Sequence, residues 1–98
     1  MLLGLVATSD IMEEYFFGLA SAAHKRGWQC QGFLTDLGVK LLDSARVLEL
    51  AQSGALQLGV CIHSWEIHGG TAAPAGVVMG SQYLNAKLAH VCDRVIVL

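Results

Sequence analysis

Cys61 stands where an apolar run, Leu58-Gly59-Val60-Cys61, gives way to the polar stretch Ile62-His63-Ser64-Trp65-Glu66-Ile67-His68-Gly69-Gly70. A thiolate is the reactive form of cysteine, and a turn after a strand can aim backbone N–H groups at it and favour that charged form. Free cysteine also packs as a small hydrophobe, which is the reading for Cys30, in mid-strand, and Cys92, near a helix end. Cys61, His63 and His68, with Glu66 as a fourth group, admit a metal-binding reading, because residues i and i+2 of an extended chain share a side and thiolate and imidazole are suitable ligands. Structural zinc takes four protein ligands, so three are a short set, and no metal is expected. A cysteine–histidine hydrolase needs a histidine base held by a third group, and His63 is too close in sequence to serve. His63 or His68 is better suited to tuning the charge of the thiolate. Trp65 reads either as an interface anchor or as a pin holding the loop to the core. Asp10 and Asp36, with Ser9 and Thr35 beside them, fall at strand ends where they could line a crevice, and capping or turn roles account for them equally well.

These side chains need a scaffold, and the periodicity supplies one. Residues 2–7 are a continuous apolar run, too short for a helix and followed by the capping types Thr8-Ser9-Asp10. From Ile11 to Ala23 apolar residues recur at helical spacing, with Glu13 and Glu14 in the first turn, Lys25-Arg26 in the last and Gly27 beyond it. Residues 28–34 read as a strand near one edge of a sheet, because their alternation is imperfect. Residues 39–52 carry a second helical stripe, and 55–61 a third strand, placed centrally because it lacks sustained polar alternation. A long Gly/Ala-rich loop through Gly69, Gly70, Pro74, Gly76 and Gly80 reads as a functional loop or lid. A helix capped by Ser81 runs through about Ala89, and 94–98 is a fourth strand. The alternation predicts an α/β fold of three layers, α/β/α, with a mainly parallel sheet in the flavodoxin-like order 2-1-3-4. In that order the loops holding Ser9-Asp10 and Cys61 face one crevice at the topological switch point.

The 98 residues are expected to form one domain, residues 1–98, small enough that neighbouring subunits would cover part of its surface. With 54% hydrophobic and 14% charged residues, the chain has few charges with which to coat an isolated domain. No uninterrupted apolar stretch approaches the roughly 20 residues of a membrane span. The apolar start lacks a basic leading segment and reads as a strand rather than a secretion signal, giving a cytoplasmic expectation. Three cysteines without paired spacing make no disulfide framework. A net charge of −2 and a single basic pair argue against nucleic acid as a partner. Neither GxGxxG nor a P-loop is present, so no cofactor is expected.

Three segments together resemble the DsrE/DsrF and TusD-like small sulfur-relay proteins over nearly the whole chain. Gly32-Phe33-Leu34-Thr35-Asp36-Leu37-Gly38-Val39 is similar to the family's Phe-x-Thr-x-x-Gly-Val strand-loop segment, Val60-Cys61 followed by Gly69 to its Val-Cys-(seven residues)-Gly segment, and Cys92-Asp93-Arg94-Val95-Ile96-Val97-Leu98 to its final strand. Where many relatives have a basic residue before that glycine, this chain has His68; where some have a further cysteine, it has Ser64 and Trp65. The resemblance implies a DsrE-like fold, a homo-trimer or hexamer, in some cases with related subunits, and a sulfurtransferase or sulfur-carrier role. Cys61 would take sulfane sulfur as a persulfide from a protein donor and hand it to a protein acceptor. The alternatives are a non-catalytic DsrE-like subunit of an oligomeric complex and a metal-binding protein using Cys61, His63 and His68.

Overall fold

A computed structural model describes residues 1–98. Strands β1 (Leu2–Ala7), β2 (Gln29–Leu34), β3 (Gln57–Cys61), β4 (Val77–Gly80) and β5 (Arg94–Val97) form one all-parallel sheet in the order β4-β3-β2-β1-β5. The connections hold helix α1 (Glu13–Lys25), a 3₁₀ segment (Asp36–Asp43), α2 (Ala45–Ser53), α3 (Ile62–Ile67) and α4 (Gln82–Val91). The expected α/β class with helices on both faces is the one observed.

The two faces are unequal. Leu3, Leu5, Ala7, Leu34, Leu58 and Val60 point to one side, where they pack with Phe16, Ala20 and Ala23 of α1, Val39, Leu41 and Leu42 of the 3₁₀ segment, and Val47 and Ala51 of α2. Each large side chain buried there contributes about 2 kcal/mol of transfer free energy, so this layer holds most of the stability. The opposite side is covered by α4 alone, through Leu88 and Leu84 against Val6, Phe33 and Cys61. Helix α4 sits close because glycines line its bed. A Cβ on Gly4 would come 2.7 Å from Leu88 Cδ2, and one on Gly59 would come 3.1 Å from Leu84 Cδ1.

The strand order corrects the expected 2-1-3-4. Strand β2 lies between β1 and β3, and the chain steps outward from β1 to β4 before α4 carries it back to β5 beside β1. The imperfect alternation of residues 28–34 suggested a strand near an edge, yet Phe33 and Leu34 of β2 are completely buried. The glutamines are on the thinly covered face, where Gln31 Nε2 donates to Gln57 Oε1 at 3.3 Å. They report a face short of helices, not an edge.

Three further boundaries differ from expectation. The stripe over 39–52 is broken at Ser44, whose hydroxyl accepts the Val47 N–H at 3.4 Å as the N-cap of α2 and donates to Glu13 Oε1 at 2.9 Å. Arg46 completes that junction of α1 and α2 with two bonds of 2.7 Å to the Glu13 carboxylate. The long loop after Cys61 contains α3 and the edge strand β4, each too short to declare itself by periodicity. Ser81 caps the following helix as expected, accepting the Tyr83 N–H at 3.2 Å.

The 3₁₀ segment is held against the end of β1 without tolerance: a Cβ on Gly38 would overlap the Ala7 carbonyl, the group that accepts the Thr35 N–H at 3.0 Å. Gly18, in mid-α1 and exposed, has nothing within 4 Å of its would-be Cβ. Gly38→Ala should therefore lower unfolding stability by about 2–3 kcal/mol through forced backbone displacement. Gly18→Ala should raise it by about 0.5–1 kcal/mol through helix propensity. Denaturant midpoints of the two variants test this reading; equal effects would refute it.

Candidate functional site

Strand register assembles the site. Leu34 pairs with Val60 and Val60 with Met79, while Cys61 pairs with Gly80, so the ends of β2, β3 and β4 form one rim. The residues just beyond that rim, Thr35-Asp36, Ile62-His63-Ser64 and Ser81-Gln82, meet around Cys61 and line a cavity of about 590 Å³. This is the carboxyl edge of a parallel sheet, where loops leave the strands and ligand sites collect.

Cys61 is the last residue of β3 and the N-cap of α3. Its residue surface is only 5% exposed. Burial is the largest single influence on the thiol and pushes its pKa up. Against it stand donors near the sulfur, the Ser64 hydroxyl and backbone N–H, the Gln82 side chain and the His63 N–H, each of which favours the anion. Together they outweigh burial and hold the thiol below its ordinary value. The other cysteines lack such donors. Burial pushes Cys30 up to about 11, with a smaller contribution from Cys92, and Cys92 is raised by burial and then by Asp93.

Ser64, 6% exposed, is the one buried polar side chain in the protein. Its Oγ accepts the Asp36 N–H at 3.0 Å and lies 3.4 Å from Thr35 Oγ1, which in turn accepts from Gln82 Nε2 at 3.0 Å. Asp36 reaches this position with φ +50°, the one non-glycine residue in the left-handed region. Aspartate tolerates that region better than most residues.

Of the residues singled out from sequence, Thr35, Asp36, Cys61 and His63 share the cavity. Ser9 and Asp10 do not reach it. They follow β1, which β2 separates from β3, and they serve locally: Ser9 Oγ accepts the Ile11 N–H at 3.2 Å and the Asp10 carbonyl accepts the Glu13 N–H at 3.2 Å. Trp65 and His68 lie in a separate recess of about 80 Å³ with Val39, Lys40 and Asp43. Trp65 packs against the main core, and its ring occupies the space a Gly70 side chain would need. The metal reading also fails. Cys61, His63 and His68 form no group able to hold an ion, because helix α3 intervenes between Cys61 and His68 and removes the extended spacing on which that reading relied.

Ser64, Gly80, Ser81 and Gln82 are site residues not identified from the sequence. Ser64 required knowing that a helix starts at Ile62, which brings position i+3 back toward Cys61. Gln82 required the pairing of Cys61 with Gly80 across 19 positions of sequence, and nothing local announces that pairing. A second cavity, about 440 Å³, lies beside α4 near Gln31, Gln57, Val78 and Leu84, and Lys87 is its only titratable side chain. It offers no nucleophile or acid–base pair.

No family model and no curated protein matches the chain. Among solved structures, the crystal structure of the ychN protein from E. coli is similar to it at 11% identity with a TM-score of 0.75, covering 99% of this chain and 97% of that one. At that identity the likeness is one of fold, and the fold of this chain is DsrE-like.

Proposed function

We propose that this protein is a sulfur carrier whose single working group is Cys61. The observation that carries the reading is the placement of Cys61 at the carboxyl rim of a DsrE-like sheet, in one cavity with Ser64 and Gln82, whose donors favour its thiolate. The Cys61 thiolate attacks the outer sulfur of a donor persulfide, R–S–SH. A new S–S bond forms at Cys61, the bond from that sulfur to R–S breaks, and the donor leaves as a thiolate that takes up a proton. In the second step an acceptor thiolate attacks the same sulfane sulfur and Cys61 departs as thiolate. No net oxidation occurs in either step. Donors that stabilise the thiolate help twice, by raising the fraction of attacking anion and by making Cys61 the better leaving group. The partners are proteins bearing thiols, which would approach Cys61 through the cavity.

Assembly into a homo-trimer or hexamer is part of the reading. It is favoured by apolar side chains left uncovered on and around the α4 face: Val78 is 60% exposed, Val97 67% and Tyr83 69%. A non-catalytic subunit of such an assembly is the second reading, and the same surface supports it. No helix is long and apolar enough to cross a membrane.

Three outcomes test the proposal. Incubation with a persulfide donor should add the mass of one sulfur atom to the protein and nothing to Cys61→Ser; an unchanged adduct in that variant would sink the carrier role. Iodoacetamide should label Cys61 before Cys30 and Cys92, with a rate that rises with pH and reaches half its maximum at a lower pH than for an unperturbed thiol. The sign follows from the depressed thiol, since the reactive anion is present above the lowered pKa and lost as pH falls through it. Labelling that begins only at the ordinary thiol pH would leave the second reading in possession. Sedimentation at micromolar concentration should show a multimer, and a clean monomer would refute the assembly.

A further inference from the structure

The hydrogen bonds behind Cys61 have a direction that proton counting reveals. Gln82 Oε1 accepts from Asn85 Nδ2 at 3.3 Å, which leaves the amide nitrogen as the end turned toward the cleft. There Nε2 donates to Thr35 Oγ1 at 3.0 Å. Thr35 has one hydroxyl proton, and the one acceptor bonded to it is Ser64 Oγ at 3.4 Å. Ser64 Oγ already accepts the Asp36 N–H at 3.0 Å; with its second lone pair taking the Thr35 proton, its own proton is free to turn to the sulfur, whose cavity it shares. In the opposite sense Thr35, half-buried at the cavity, would accept twice and turn its proton to solvent, and Ser64 would have no proton left for the sulfur. The chain of contacts runs from Asn85 through Gln82 and Thr35 to Ser64, which shares the cavity with Cys61.

From these counts we infer that Asn85 and Thr35 are positioning residues, acting through Gln82 and Ser64 to keep the amide and hydroxyl protons of the site aimed at the Cys61 sulfur. The inference rests on Cys61 being the working group, but not on what it transfers. Chains of this kind polarise one another, so a residue two bonds removed still affects the last donor. The titratable side chains facing the sulfur are Asp36, after β2, and His63, on α3; α4 contributes only the uncharged Ser81 and Gln82. Asp36 and His63 are retained in every variant below, so their charges are common to all.

The test is the pH profile of iodoacetamide labelling at Cys61 in the full chain. Ser64→Ala should raise the apparent pKa by about one unit, and Thr35→Val and Asn85→Leu by about half a unit each. Thr35→Ser, which restores the hydroxyl, should return it to the wild-type value. Thr35→Val should add nothing in a Ser64→Ala background, because its effect passes through Ser64. Wild-type profiles for both Thr35→Val and Asn85→Leu, or full additivity of Thr35→Val with Ser64→Ala, would overturn the inference. Gln82 is exposed, so Gln82→Met carries the same expectation of a raised pKa if buried Ser64→Ala does not fold. The profile reads the thiol and not sulfur transfer: normal profiles with sulfur uptake would refute the chain alone, and shifted profiles without uptake would refute the carrier role alone.

Discussion

Helix α4 packs between the side chains of Val6, Phe33 and Cys61, seated closely where glycines leave room, and the geometry of the site depends on that contact. Gly4, Gly59 and Gly80 present no side chain to it, and Leu84 and Leu88 occupy the space where methyl groups would stand. A side chain at any of the three would press on Leu84, Leu88 or Cys92 and force them to repack. Gln82 is only two residues from Leu84, so the depth at which Leu84 seats sets how near the Gln82 amide comes to Cys61. The strand ends supply the cysteine and the loop hydroxyls, and the glycines admit the helix that completes the donor set.

The three cysteines show how little residue type decides. Cys30 lies within the main core, where removing water from a potential anion is uncompensated and drives the thiol up to about 11. Cys92 flanks the smaller cluster and is raised by burial and by Asp93. Cys61 is as buried as a core residue, yet hydrogen bonds replace the solvent it lost. Burial without donors raises a thiol's pKa, whereas donors around a buried thiol can lower it.

The unequal faces of the sheet connect fold and function. One face is closed by α1, the 3₁₀ segment and α2 and carries the stability of the chain. The other, under α4 alone, leaves Val78 in water near the Gln31–Gln57 pair and Val97 in water on β5 at the opposite edge. The polar side chains of β2 belong to this open face. The strand itself is central because its other side and its carboxyl end are fully buried.

Local pattern was enough to determine the alternating α/β class, the first helix, the capped last helix and the position of Cys61 at a strand end. Each of these rests on periodicity or on neighbouring residues, which a chain carries along its own length. The order of the strands, the short helix α3 and edge strand β4, and the joining of Thr35, Ser64 and Gln82 around one sulfur were decided only by tertiary structure. Register between strands far apart in sequence is fixed by competition among burial options for the whole sheet, and no local pattern encodes its outcome. Ser9 and Asp10 are the clearest instance: their residue types suited a crevice, but the insertion of β2 beside β1 placed them one strand too far away.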